Sequence, residues 1–260
     1  VKNPVHHYSI LNSSNGKIGY LMYNQFVSNY DQYLESIFSE YKSNSVTELI
    51  LDLRYNPGGS INSALILASL ITGQFENDIF NTEEWNTEIQ NYWINNNPEY
   101  LVNRFLSLES SLNLNRVFIL TTRSSASASE LIINCLDPYI DVIQIGTTTY
   151  GKYQASVTLY DSENFSNQNI NPSHNYAIQP LVLKTLNVLG ITDYFNGINP
   201  EYDFEEKVYN MGIIGDLNEP MLNFTMGLIN SREEINIQPE TLEFVDDNFK
   251  FDFISKLFVN

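Results

Sequence analysis

Short apolar runs and helically spaced apolar positions follow one another along this chain. The short runs are typical of strands buried within a sheet. We expect strands at 17–24, 48–53, 117–120 and 141–145, and one or two more within 177–189. Apolar residues three and four positions apart predict helices at 31–41, 61–71, 128–136 and 219–229. The alternation of strand and helix predicts an α/β fold with helices packed on a sheet.

Two stretches lack both patterns and predict loops. Residues 161–174 are polar and rich in Asn and Ser, and residues 86–98 cluster Asn between Trp85 and Pro98 around Trp93. The chain begins with Val1 rather than Met, so we expect a fragment from which a preceding region has been removed.

The charge balance narrows the classes of partner. Lys and Arg number 13 against 31 Asp and Glu, a net charge of −18. This charge argues against nucleic acid as a partner, because binding phosphates requires basic side chains that release counterions. It also argues against docking on an anionic lipid surface. The single cysteine, Cys135, forms no internal disulfide and lies in an apolar run that predicts a buried position.

The segment 51–59 combines a buried strand with the turn Asn56-Pro57-Gly58-Gly59. Glycine lets the backbone approach a ligand closely, and free N–H groups at such a turn can bind an anion or a developing oxyanion. The same residues also form ordinary tight turns between a strand and a helix. Spacing alone favours the ordinary turn.

The segment 124–130, Ser-Ser-Ala-Ser-Ala-Ser-Glu, follows an apolar strand and begins a helix. A serine at such an elbow exposes its hydroxyl to a substrate. Ser125, Ser127 and Ser129 are all candidates for that position. Ser127 and Glu130 also have the spacing of a capping box, and composition alone favours this capping role.

The segment 146–152 ends in Tyr150-Gly151-Lys152 after a strand. A lysine serves as a general base where burial favours its neutral form, whereas a surface lysine is simply solvated. His6, His7 and His174 lie in no recognisable motif, so a Ser/His/Asp triad is not supported. No metal-binding motif is present either, and we expect no metal.

These three segments, in this order, resemble the C-terminal processing, or tail-specific, serine proteases. That family carries a strand ending in D-L-R-x-N-P/G-G-G, then S-A-S-A-S-E, then T-[YF]-G-K. The resemblance covers residues 17–159 well and continues more loosely to residue 200, where it is similar to Bacteroidetes-like relatives. It implies a crotonase/ClpP-like β-β-α core and a single protease domain over 1–260, without the PDZ domain that precedes it in such relatives.

The resemblance also implies roles for individual residues. Ser127 matches the family's nucleophile and Lys152, 25 residues later, matches its general base at the interval expected in the family. The oxyanion hole falls on the N–H of Ala128 and on that of Gly58 or Gly59.

One position departs from the family pattern. Many members place a Gln four residues after the catalytic Lys, where it orients the amine. Ser156 occupies that position here, and the nearest Gln is Gln154. We therefore treat Ser156 and Gln154 as candidate orienting residues.

The implied activity is that of a serine endopeptidase that forms an acyl-enzyme and needs no cofactor. Its substrates would be unstructured C-terminal tails of proteins or peptides, in the periplasm, the cell envelope or the extracellular space. The sequence leaves open whether the protein forms a homo-oligomer. One alternative is a relative that binds peptide tails with little or no turnover. The other is an acyl-thioester enzyme on a crotonase-like fold.

Overall fold

The computed structural model describes residues 2–230. Its strands and helices in chain order are β1 (Val5–Ser13), β2 (Gly16–Tyr23), α1 (Asp31–Ser43), β3 (Val46–Asp52), α2 (Ile61–Ile71), β4 (Ile79–Trp85), α3 (Thr87–Asn96), β5 (Val102–Arg104), β6 (Arg116–Thr121), α4 (Ala128–Leu136), β7 (Asp141–Gly146), β8 (Gln154–Ser156), β9 (Leu159–Tyr160), β10 (Ala177–Ile178), β11 (Leu181–Leu186), β12 (Tyr202–Asp203) and α5 (Pro220–Asn230). Two short 3-10 helices lie at Ser28–Tyr30 and Pro98–Leu101.

The larger sheet has six strands in the order β1-β2-β3-β6-β7-β12. β1 and β2 form an antiparallel hairpin, and every other neighbouring pair is parallel, with Leu51 of β3 opposite Ile119 of β6. Parallel neighbours require a crossover connection, and α1, α2 and α4 lie in those connections. The predicted α/β class is confirmed.

Both faces of this sheet are covered, which explains why its strands are apolar at consecutive positions. Side chains alternate between faces along a strand. Leu21 and Tyr23 pack in the core that contains α1, α2 and α4, whereas Tyr20 and Met22 pack in the core that contains α5. Cys135 is buried as predicted, and burial raises the pKa of its thiol.

A second, antiparallel sheet of four strands has the order β5-β4-β11-β8. Its edge strand β8 begins two residues after Lys152 and pairs with β11, with Lys184 opposite Gln154. This sheet therefore carries the chain immediately after the candidate base.

The predicted loop at 86–98 is wrong, because α3 occupies most of it. Asn86 caps this helix by accepting the N–H of Ile89 at 3.1 Å. Trp93 then packs on Tyr100 of the following 3-10 helix, with ring centroids 4.6 Å apart. Asn is a poor helix former but a favoured cap, so its frequency here obscured the helix.

The other predicted elements are confirmed. Each predicted strand and helix has a counterpart, with β10 and β11 in the range 177–189, and residues 161–174 contain no helix or strand. Six of the strands described above were not predicted. β1 and β4 form no apolar run, because most of their residues are only half-buried, and β5, β8, β9 and β12 are only two or three residues long. Val1 lies outside the described residues.

One buried cation joins the end of β3 to the last part of the described chain. The guanidinium of Arg54 is fully buried and contacts Asp52 at 2.6 Å and both Glu206 and Glu219 at 3.0 Å. The hydroxyl of Tyr20 donates to Asp52 at 2.6 Å, and its pKa is raised by burial and by that carboxylate. The network fixes α5 against the sheet, because Glu219 also caps α5.

Replacing this cation tests its structural role. Arg54→Met should lower the free energy of unfolding by about 3–5 kcal/mol, because it leaves buried carboxylates without their counter-charge. Urea denaturation measures the change. Arg116→Met is the control, since Arg116 is a partly exposed arginine paired with Glu48 and should cost about 1 kcal/mol or less. Equal losses in the two variants would contradict the assigned role.

Candidate active site

Ser127 lies at a sharp elbow between β6 and α4. Its backbone has φ 56° and ψ −113°, a conformation that a non-glycine residue adopts only under strain. Such an elbow lifts a serine hydroxyl away from the strand and towards a cleft. Ser127 is half-buried here, while its neighbours Ser125 and Ser129 are fully buried.

Hydrogen bonds attach this elbow to the Gly-Gly turn after β3. The hydroxyl of Ser125 donates to the carbonyl of Leu53 at 2.7 Å, and that of Ser129 donates to the carbonyl of Asn56 at 2.9 Å. Two of the three candidate serines therefore have structural roles. Ser127 is the one that lines an open cleft.

The turn approaches the serine closely because it has glycine at position 58. Gly58 has φ 101°, and a Cβ there would lie 2.6 Å from Cβ of Ser127 and 2.9 Å from the backbone N of Ala128. The N–H of Gly58 donates to Oδ1 of Asn56 at 2.8 Å. Among residues 2–230, no acceptor is found for the N–H of Gly59 or of Ala128.

A single buried carboxylate connects the elbow to the segment that carries Lys152. Oε2 of Glu130 accepts the backbone N–H groups of Ser127 and Lys152, both at 2.8 Å. Oε1 accepts the hydroxyl of Thr149 at 2.6 Å and the N–H of Gly151. Glu130 is fully buried, so these four donors replace the solvation that its charge loses.

Ser127 and Lys152 line the same small cleft. The other lining residues are Ile61, Ala128, Leu131, Tyr153, Gln154, Ala155 and Thr185. None of these is acidic, and within the described residues Lys152 forms no ion pair. Gln154 lies in the cleft, whereas Ser156 is exposed and does not line it.

Thr185 is a cleft residue that the sequence did not reveal. It is buried on β11 and its backbone N–H points to the carbonyl of Tyr153 at 3.4 Å. No motif surrounds it, and only the pairing of β11 with β8 brings it to the cleft.

Other chemistries find little support in the part of the chain that the structure describes. His6, His7 and His174 do not line the cleft, and His174 instead contacts Asp161 at 3.1 Å. Between residues 2 and 230, no group of three His, Cys, Asp or Glu side chains is arranged to hold a metal ion. None of the helices there combines the length and apolar character of a membrane span.

Residues 17–171 match the sequence model of peptidase family S41. The chain belongs to peptidase family S41. The matched range contains the Gly-Gly turn, the serine elbow and the lysine segment, and the predicted resemblance to C-terminal processing serine proteases is confirmed.

Curated relatives of this S41 chain include two bacterial proteases. One is a CtpA-like serine protease of Staphylococcus epidermidis, 28% identical over 151 residues, which are 58% of this chain and 28% of that protein. The other is a carboxyl-terminal-processing protease of a Picosynechococcus species, 26% identical over 151 residues, which are 58% of this chain and 32% of that protein. The matches thus cover about a third or less of these relatives.

Solved structures show the same fold. An S41 protease from Bacteroides fragilis superposes with a TM-score of 0.75 at 28% identity, covering 88% of this chain and 58% of that one. The photosystem II D1 C-terminal processing protease superposes with a TM-score of 0.59 at 17% identity, covering 89% and 55%. The second likeness concerns the fold alone.

The four bonds of Glu130 can be tested by an isosteric change. Glu130→Gln should lower the free energy of unfolding by at least about 2 kcal/mol, because the amide cannot accept all four donors and each orphaned donor costs about 1–3 kcal/mol. Urea denaturation provides the measurement. Glu163→Gln, in the exposed polar loop, is the matched control and should change stability by about 0.5 kcal/mol or less. An unchanged Glu130→Gln protein would argue against this arrangement.

Proposed function

We propose that this chain is the catalytic core of a serine peptidase in which Ser127 is the nucleophile and Lys152 the general base. The observation that carries the proposal is that a strained serine elbow lines one cleft with a lysine that forms no ion pair among residues 2–230. The bonds from Glu130 to the backbones of both residues support the pairing.

The proposed reaction is acyl transfer to water. Nζ of Lys152, in its unprotonated form, accepts the proton of Ser127 as Oγ attacks the peptide carbonyl. The resulting ammonium gives that proton to the leaving amine as the peptide bond breaks. Water then attacks the ester with the same base, which releases the acid and restores Ser127.

The N–H groups of Ala128 and Gly59 are the proposed donors to the tetrahedral oxyanion. Both lack an acceptor among the described residues, and free backbone donors next to a nucleophile can stabilise charge that develops in the transition state. Gly58, the other candidate, already donates its N–H to Asn56. Its role is instead to let the turn lie against Ser127.

The orienting residue for Lys152 is proposed to be Gln154 rather than Ser156. Gln154 lines the cleft, whereas the exposed hydroxyl of Ser156 does not.

The second candidate function is that of a relative that binds peptide tails with little turnover. The absence of a Gln at position 156 favours this candidate.

The proposed substrates are unstructured protein or peptide tails, because a small cleft admits an extended chain more readily than a folded surface. The names of the relatives, as C-terminal processing proteases, support cleavage near C-termini. A periplasmic, cell-envelope or extracellular setting is proposed on the same family grounds.

Labelling by a small serine-reactive phosphonate tests the dyad directly. We expect an adduct on Ser127, and no adduct in Ser127→Ala or in Lys152→Met, because without its base the hydroxyl is a weak nucleophile. Mass mapping after proteolysis identifies the labelled residue.

Ser124→Ala is the matched control, since Ser124 lies in the same loop and does not line the cleft. It should be labelled on Ser127 at the wild-type rate. Labelling of Lys152→Met at that rate would refute the proposed base. Measurable binding of peptides without labelling would favour the second candidate.

A further inference from the structure

A second cation, Arg123, contacts the segment that carries Lys152. Its Nη1 donates to the carbonyl of Thr149 at 2.6 Å and to that of Asn196 at 3.2 Å. Its Cζ lies 5.7 Å from the ring centroid of Tyr150. We infer that Arg123 is a positioning residue for Lys152, an inference that rests on the proposed function.

Arg123 reaches the lysine segment from the nucleophile's own loop. It lies four residues before Ser127, in the connection between β6 and α4. The same loop also bonds to the lysine segment directly, because the N–H of Tyr150 donates to the carbonyl of Ser125 at 3.0 Å. These bonds fix the position of the lysine segment relative to the loop that carries Ser127.

A third segment, 194–198, supports the lysine segment from behind. The N–H of Thr149 donates to the carbonyl of Ile198 at 3.1 Å, and the N–H of Ile198 donates to Oγ1 of Thr149 at 2.7 Å. A Cβ on Gly151 would lie only 2.4 Å from the carbonyl oxygen of Phe195, so the two backbones are in close contact. This supporting segment lies beyond the range matched by the family model.

Arginine suits this position for a geometric reason. A planar guanidinium can bond two carbonyls and at the same time lie over an aromatic ring, which the compact ammonium of lysine cannot do equally well. Arg123 joins the nucleophile loop, the lysine segment and segment 194–198 in this way. It does not line the cleft, so it acts through Thr149 and Tyr150 rather than on a substrate.

The expected consequence is kinetic. Misplacing a catalytic group by about 1 Å can cost a factor of about 100 in rate. Arg123→Ala should therefore slow phosphonate labelling of Ser127 by about 10- to 100-fold across about pH 6 to about pH 10. Arg123→Lys should recover only part of the rate, because it keeps the charge but not the planar group that lies over Tyr150.

The matched control is Arg104→Ala. Arg104 is also a partly exposed arginine that donates to a backbone carbonyl, that of Asn77 at 3.1 Å, but it does not line the cleft. The Arg104→Ala protein should be labelled on Ser127 at the wild-type rate.

An Arg123→Ala protein that is labelled slowly, but whose thermal unfolding midpoint matches that of the control, supports the positioning role. If its midpoint is lower, recovery of labelling by millimolar guanidinium supports that role instead.

Suppose that wild-type Ser127 is labelled and that this labelling depends on Lys152. Two results would then overturn the inference about Arg123 while leaving the proposed function intact. One is an Arg123→Ala protein labelled at the wild-type rate. The other is slow labelling with a lowered midpoint that guanidinium does not restore, which would reveal a structural role only. If wild-type Ser127 is not labelled, or if Lys152→Met is labelled normally, the proposed function itself fails and the inference fails with it.

Discussion

The arrangement of the candidate site depends on the buried carboxylate of Glu130. A carboxylate out of contact with water is costly unless hydrogen bonds replace its solvation, and bonds to a charged acceptor are the stronger ones. Glu130 obtains its bonds from the elbow residue Ser127 and from three residues of the lysine segment, including the N–H of Lys152. The segments of the proposed nucleophile and the proposed base are therefore in contact wherever this carboxylate has all four of its hydrogen bonds.

From the sequence alone, a capping role and a chemical role for Ser127 look like alternatives, and this contact shows that both can hold together. The spacing of Ser127 and Glu130 is that of a capping box, and on composition it favours a structural role over a chemical one. In the structure the glutamate both receives the N–H of the first residue of the elbow and anchors the candidate base. The capping pattern and the proposed catalytic motif share Ser127 and Glu130, so evidence for the first is not evidence against the second.

How much could be predicted from the sequence differs with the range of the interactions involved. Apolar runs and helical spacing predicted the parallel strands and their helices, because burial on both sheet faces depends on local periodicity. The helix after Asn86 was missed because frequent Asn residues in this segment resemble a loop, although Asn86 is in fact the N-cap. Thr185 and the partners of Arg54 were missed for another reason. Glu206 and Glu219 lie more than 150 residues from Arg54, and no local pattern specifies such contacts.

This chain has Ser156 where many family members have a Gln, and contacts of the backbone hold the segment of Lys152 instead. A side chain four residues further on would orient the amine of Lys152. Here the backbone N–H of Lys152 donates to Glu130, and Arg123 bonds the carbonyl of Thr149 three residues earlier. These bonds fix the backbone from which the side chain of Lys152 begins, and Tyr153, Gln154 and Thr185 line the cleft beside it. In this chain the position of Lys152 therefore depends on the fit between three backbone segments more than on one amide side chain.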